Sequence, residues 1–357
     1  MADYKERIQN LQNTLEAGEA ALISSDISIT YFTGFQHSEG YVVITKNNSY
    51  LFIDFRYIEA AQKLVKHMEI VMFSSPFDKI REILADNNTE LLLLENESVT
   101  LSLFETIKKE LTIEFDSYSR LSECIKNLRI VKTADEVEKL RKAQNIAEKA
   151  YLEVLYFVKV GVTEKEISAK LEYLMKTYGA ERVAFELITV AGKKTSLPHG
   201  VPGDYKVQKG DFITFDIGAV YDGYHSDMTR TVAVGEVSEE QRNIYNIDLK
   251  AHLKALEAVK AGITGFEGDK IASDIITKEG YGEYFGHSTG HGVGLEIHES
   301  PYASIKSKDT LKAGMTLTVE PGIYLPDKFG VRIEDTVLVT KNGYETFASI
   351  PKELIII

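Results

Sequence analysis

Cysteine is almost missing from this chain, with Cys124 alone among 357 residues. A single thiol excludes an internal disulfide framework and any CxxC metal or redox motif, and it points to the cytoplasm as compartment. Cys124 lies in the helix-like stretch RLSECIKNLRI, where it is expected to act as a small buried apolar residue. Long apolar runs are missing too: nothing approaches the ~18 residues that a membrane span needs. The opening MADYKERIQN is charged and helical in pattern, which argues against a secretory signal. Basic excess is the third absence. Lys and Arg number 41 against 54 Asp and Glu, a formal charge of -13, and no Lys/Arg run is interleaved with aromatics. Nucleic acid and anionic membrane surfaces are therefore excluded as partners.

What is present is an ordinary globular composition, 44% hydrophobic, in a chain long enough for two domains. Residues 1 to 130 alternate. A helix around Ile8, Leu11 and Leu15 is followed by strand AALIS, then YVVIT and YLFID joined at Asn47-Asn48. Helix RYIEAAQKLVKHM, strand EIVMF, helix PFDKIREILAD and strand ELLLLE come next. This reads as an α/β domain whose histidines, His37 and His67, belong to no cluster. It serves as scaffold, oligomer contact or a wall of a binding site.

Residues 131 to 357 read as α+β. Thr133 with Glu136, Thr163 with Glu166, and Ser238 with Gln241 are capping boxes that open three helices. The first helix should bury Val137, Leu140, Ala147 and Val154. Hairpins span 212 to 234 and 316 to 340, and a capped helix followed by a hairpin occurs twice, a hint of internal duplication.

The first hairpin, FDIGAVYDGYHSDMTR, carries an acid on each strand. A two-residue turn at Asp222-Gly223 pairs Tyr221 with Tyr224, sets Asp227 opposite Gly218, and puts Asp216 and Asp227 diagonally on one face. Gly218 is expected to leave open space between them. Two ionised acids so close need a shared proton or a cation. The second hairpin decides between these, because in TVEPGIYLPDKFGVRIED the acids Glu320 and Glu334 are symmetric about the turn at 326 to 330. Four carboxylates on two hairpins imply more than one divalent ion. The core-like runs FITF and TLTV beside them speak against four solvated surface acids.

Nitrogen ligands are sought in GHSTGHGVGLEIHES, which offers His287, His291 and His298. The i, i+4 spacing of the first two imitates a helical zinc motif, but the glycines at 286, 290, 292 and 294 exclude a helix. The stretch should be extended or looped. His199 occupies a further loop, TSLPHGVPGD, bracketed by Pro and Gly, a setting that often carries function.

Together FDIGAVYDGYHSDMTR, GHSTGHGVGLEIHE, VEPGIY, GVRIED and SLPHG resemble the signature of the pita-bread metallopeptidases, in the branch of Xaa-Pro aminopeptidases and Xaa-Pro dipeptidases. The resemblance covers nearly the whole chain. It implies an α/β N-terminal domain (1–130) before an α+β, creatinase/aminopeptidase-like catalytic domain (131–357). It also implies two divalent ions, Mn²⁺ first with Zn²⁺ or Co²⁺ as alternatives, held by Asp216, Asp227, His291, Glu320 and Glu334, with Asp227 and Glu334 bridging and Asp216 bidentate. Glu320 would also handle the proton of the attacking water. His199 and His298 would steady the tetrahedral intermediate, and His287, Tyr324 and Arg332 would line the pocket on the proline side. The expected substrate is a peptide with proline at its second position, and the expected assembly is a homodimer.

The resemblance favours an Xaa-Pro aminopeptidase, with a dipeptidase restricted to Xaa-Pro dipeptides as the alternative and a non-catalytic peptide-binding relative as a distant one. Methionine aminopeptidases resemble the site but lack an N-terminal domain of this length. Creatinase-like hydrolysis needs no metal, against which all five ligands are retained. Two departures stand out: Lys193 and Lys194 in AGKKTS, where small or amide residues are more usual, and an N-terminal domain as short as that of compact dipeptidases.

Overall fold

A computed structural model describes residues 4–36 and 39–357, and His37 lies outside the described residues. The chain divides into two compact units, Met1–Arg129 and Ile130–Ile357.

The first unit is built on a mixed sheet whose strands are β1 (Glu19–Ile23), β2 (Gly40–Thr45), β3 (Ser49–Ile53), β4 (Glu69–Met72), β5 (Leu91–Leu94) and β6 (Glu114–Asp116). They lie side by side in the order β4-β3-β2-β1-β5-β6. β1 and β3 flank β2 antiparallel, and the outer pairs are parallel. Continuous apolar runs such as LLLL suit these strands because helices cover them: α1 (Tyr4–Thr14), α2 (Asp26–Thr33), α3 (Ile58–Leu64), α4 (Pro76–Asp86), α5 (Leu101–Glu110) and α6 (Arg120–Arg129). Sequence periodicity leaves α2 unassigned, since DISITYFT is rich in residues that favour strands. Its ends decide the matter. Ser25 accepts from the Ser28 N–H at the start, and Gly34, at φ 69°, closes the helix in the left-handed region. His67 is structural: its Nε2 meets Phe32 O at 2.9 Å and its ring stacks on Tyr4 at 4.9 Å. Cys124 is half-buried, not buried as expected, with Sγ 3.5 Å from Thr14 Oγ1.

The second unit repeats one plan twice in sequence. Helices α7 (Ala134–Val154) and α8 (Glu164–Thr177) are followed by short strands β7 (Arg182–Val183) and β8 (Ile188–Ala191). A long hairpin follows: β9 (Phe212–Ile217) and β10 (Ala219–Tyr221) run up, β11 (Tyr224–His225) and β12 (Met228–Ala233) run back. Then come α9 (Glu239–Ala258) and α10 (Gly265–Lys278), short strands β13 (Gly290–Gly292) and β14 (Glu299–Ala303), and a second long hairpin. In that hairpin β15 (Thr316–Val319) and β16 (Gly322–Leu325) return as β17 (Phe329–Arg332) and β18 (Asp335–Val339), with β19 (Tyr344–Thr346) beside β18.

The capping boxes read from sequence form at α7, α8 and α9. A fourth, Thr264 with Glu267 at α10, escapes the sequence reading and completes the pairing of two capped helices per hairpin. Of the four apolar positions expected on α7, Leu140, Ala147 and Val154 are buried and Val137 is half-buried. One apolar core lies between α7, α8 and the first hairpin, and another between α9, α10 and the second. Among the described residues no helix is long and apolar enough to cross a membrane.

Both registers follow the turn chemistry. Asp222 and Gly223 both have positive φ, 49° and 79°, as a two-residue turn of this type demands. Tyr221 pairs with Tyr224 and Asp216 with Thr229, so Asp227 falls opposite Gly218. Gly218 does not leave open space, however. A Cβ there would lie 2.0 Å from Ser226 O and 2.8 Å from Ala184 Cβ, so the glycine permits close backbone approach. In the second hairpin Gly322 pairs with Arg332 and Val319 with Asp335, which leaves Glu320 and Glu334 facing each other across the interruption between the strand pairs.

Candidate metal centre and substrate cavity

The hairpins and the loops around them enclose a cavity of about 530 Å³. Asp216, Asp227, His291, Glu320, Glu334, His199, His287, His298 and Arg332 all line it. Tyr324, expected on the wall, is not among the lining residues, but its hydroxyl contacts two that are, His287 and Arg332. At the centre, one ligand atom each of Asp227, His291 and Glu334 lies within 4.8 Å of the others. His291 Nε2 is 3.3 Å from Glu320 Oε1 and 3.6 Å from Asp227 Oδ2.

Period-two alternation puts these groups together. Asp227 and Thr229 share one face of the first hairpin, as Thr318 and Glu320 share one face of the second. The threonines hold the acids: Thr229 Oγ1 donates to Glu334 Oε2 at 2.8 Å, and Thr318 Oγ1 donates to Glu320 Oε1 at 3.2 Å. The two hairpins are also joined through the backbone, where Glu334 N–H donates to Thr229 O at 3.1 Å. Neither threonine is singled out by sequence reasoning, yet each sits two residues from an acid already identified, and that spacing was the available signal.

The imidazole of His291 is oriented for ligation. Gly292 O can only accept, so the 3.0 Å contact fixes the proton on Nδ1 and turns Nε2 towards the acids. His298 packs edge-on against this ring at 4.4 Å between centroids. His287 is set in the same way. Its Nδ1 donates to Ser288 O at 2.8 Å, and burial keeps the ring neutral, so Nε2 accepts from the Tyr324 hydroxyl at 2.8 Å. The Tyr324 oxygen in turn accepts from Arg332 Nη1 at 2.7 Å, and Arg332 Nη2 donates to Asp216 Oδ2 at 2.5 Å. One Asp216 oxygen is therefore engaged by a guanidinium, which leaves the other as its freest donor towards a metal.

Charge is concentrated beyond what the side chains neutralise among themselves. Burial, then the neighbouring acids, pushes Asp227 and Glu334 well above the usual carboxylate range. Burial also raises Asp216, against the opposing pull of Arg332. Burial alone would lift Glu320 as well, but the hydrogen bond and charge of His291 hold it below its ordinary value. Burial would depress His291, yet Glu320 and Asp227 draw it up to about 9. Glu334 Oε1 is buried with no hydrogen-bond partner. An orphaned carboxylate oxygen among crowded acids, with an imidazole nitrogen aimed between them, fits divalent cations.

A carboxylate-rich cation centre on two hairpins, walled by histidines inside a cleft, defines a metal-dependent hydrolase. Comparison with known proteins is specific. Residues 138–341 match metallopeptidase family M24, and residues 7–131 match the creatinase/prolidase N-terminal domain. The chain belongs to metallopeptidase family M24 and has its pita-bread fold. It is 41% identical to an Xaa-Pro dipeptidase of Pyrococcus furiosus over 98% of this chain and 100% of that one. Among solved structures, an Xaa-Pro dipeptidase from Bacillus anthracis superposes with a TM-score of 0.96 at 41% identity, covering 99% of this chain and 100% of that one. An X-Pro aminopeptidase from Thermotoga maritima follows with a TM-score of 0.91 at 38% identity, covering 97% and 100%.

Proposed function

We propose that this metallo-exopeptidase is an Xaa-Pro dipeptidase, which removes the residue before proline from dipeptides. The reading is carried by one observation: the acids, histidines and arginine picked out in sequence line a single cavity in a chain that matches full-length relatives named Xaa-Pro dipeptidase. Those names favour the dipeptidase alternative over the aminopeptidase first expected, and the short N-terminal domain agrees with them. The second reading, an Xaa-Pro aminopeptidase, is favoured by the likeness to the solved X-Pro aminopeptidase of Thermotoga maritima.

In this reading Asp216, Asp227, His291 through Nε2, Glu320 and Glu334 hold two divalent ions. One imidazole among four carboxylates favours a hard ion such as Mn²⁺. When bound, such ions supply Lewis acidity and lower the pKa of water towards neutrality. The chain does the rest. Thr229 occupies Glu334 Oε2 and leaves Oε1 free to point inward. Glu320, whose Oε1 accepts from Thr318 Oγ1, takes the proton of the attacking water and passes it to the leaving proline nitrogen. His199 and His298, which both line the cavity, donate to the carbonyl oxygen as charge develops there. His287, Tyr324 and Arg332 form one hydrogen-bonded row that shapes the proline side.

The test offers Mn²⁺-loaded protein Xaa-Pro dipeptides and Xaa-Pro-Yaa tripeptides side by side. Cleavage of dipeptides alone is expected. Comparable turnover of both would restore the aminopeptidase reading, and no turnover of either would remove the peptidase assignment to proline substrates.

A further inference from the structure

The two lysines of AGKKTS are not accounted for by the metal centre. Lys193 is exposed. Lys194 turns inward: its Nζ lies 2.5 Å from Glu164 Oε2 and donates to Val201 O at 3.3 Å. Glu164 opens α8, and its side chain is completely buried. Its Oε1 accepts from the Ala191 N–H at 2.8 Å, and its Oε2 also accepts from the Gly203 N–H at 2.7 Å. Ala191 ends β8 where the His199 loop begins, and Gly203 lies where that loop returns to α8. One carboxylate thus ties both feet of the segment 192–202.

The carbonyls on either side of His199 are held as well. Arg332 Nη1 donates to Pro198 O at 3.3 Å, and Lys194 donates to Val201 O. Nearer the first foot, Thr195 Oγ1 accepts from the Gly330 N–H at 2.8 Å. Gly203 fits the same device, since a Cβ there would lie 2.8 Å from Lys194 Nζ. His199 itself is exposed, so the backbone that carries it sets where its ring points.

We propose that buried Glu164 with its half-buried partner Lys194 is a positioning device for His199, a strap that fixes the substrate-side loop so that the imidazole meets the scissile carbonyl. This rests on the peptidase reading of the cavity. Lys194 touches no reacting atom. It neutralises Glu164 and anchors the far half of the loop, whose nearer half is already tied by Thr195 and Arg332.

Two measurements test it. Wild-type protein is first assayed on an Xaa-Pro dipeptide, which judges the peptidase reading separately. Lys194→Met is then made alone and in a His199→Ala background. With His199 present, kcat is expected to fall roughly 10- to 100-fold, the size of effect that displacing a catalytic contact by about 1 Å produces. KM and metal content should hold, and Lys194→Arg should recover most of the loss. In the His199→Ala background the same change should cost no more than about twofold, because the two act as one unit. Amide hydrogen exchange needs no substrate: protection at 197–203 should drop in Lys194→Met while α8 and β9 keep theirs. If Lys194→Met fails to fold, Lys194→Gln takes its place in both measurements. Equal losses in both backgrounds, a loss traced to metal content, or unchanged exchange in the loop would each overturn the proposal.

Discussion

His291 Nε2 and Glu320 Oε1 face each other at 3.3 Å, while the other His291 nitrogen is committed to Gly292 O. In the metal-free protein this pair holds a proton, which is why the imidazole is raised to about 9. Ligation needs Nε2 bare, and it needs Asp227 and Glu334 ionised, both of which are also raised. Each bound cation therefore displaces protons. Below about pH 9 metal affinity should weaken as pH falls, by roughly tenfold per unit for every proton displaced. Titration calorimetry of Mn²⁺ binding in buffers of different ionisation enthalpy reads the proton count directly. A binding heat independent of buffer would contradict this picture.

Thr229 is completely buried, donates to Glu334 Oε2 and accepts from Arg332 Nε at 3.2 Å. Thr229→Val keeps the shape and deletes both contacts. Groups that orient a metal ligand typically cost 10- to 100-fold in metal affinity when lost, so a weakening of about that size is expected. Metal affinity and melting temperature measured on the same preparation separate the effect from unfolding. A variant that binds Mn²⁺ as tightly as wild type would show that Glu334 needs no such support.

Much of this site was legible in sequence because strand geometry is periodic. Once Asp222-Gly223 is taken as a two-residue turn, the position of Asp227 against Gly218 follows by counting, and the same arithmetic about residue 327 pairs Glu320 with Glu334. Tyr324 was reached by resemblance alone, because counting gives the face of a strand and not the partners its hydroxyl finds in His287 and Arg332. The anchoring of the His199 loop was invisible for another reason. Glu164 and Lys194 are thirty positions apart, and nothing local marks a helix-opening glutamate as the tie of a distant loop. In the first unit α2 was hidden by strand-favouring residues, and only the Ser25 cap and Gly34 betray it.

Gly218→Ala tests the close approach of the strands that carry the two aspartates. The added Cβ would lie 2.0 Å from Ser226 O, 2.8 Å from Ala184 Cβ and 2.9 Å from Phe185 Cε1, and backbone oxygen cannot swing aside. The substitution should cost about 1–3 kcal/mol of stability, as overpacking does. It should also loosen metal binding, because Ser226 adjoins Asp227. Thermal unfolding with and without Mn²⁺ reads both effects. An unchanged melting temperature would mean that the strands move apart freely here.

Asp335 follows Glu334 in the chain and lies completely buried among cations. It accepts from Arg230 Nη2 at 2.7 Å, His252 Nε2 at 3.0 Å and Lys352 Nζ at 2.9 Å. Burial alone would raise its pKa, but Arg230, His252 and Lys352 together hold it far below the usual carboxylate range. A depressed carboxyl gives its full stabilisation at pH above its unfolded value, near about 4, and that contribution is lost progressively as pH falls from there through the folded value. Asp335→Asn would leave Arg230 and Lys352 without their counter-charge, at a cost of about 3–5 kcal/mol. The gap in melting temperature between variant and wild type, both stripped of metal, should stay constant from neutrality to about pH 4 and shrink below it. Arg230 Nη1 also donates to Glu334 O at 2.6 Å, so Mn²⁺ affinity should fall in the same variant. A gap that is negligible at neutral pH would show that the buried cations find other partners and that Asp335 does not hold the Glu334 strand in place.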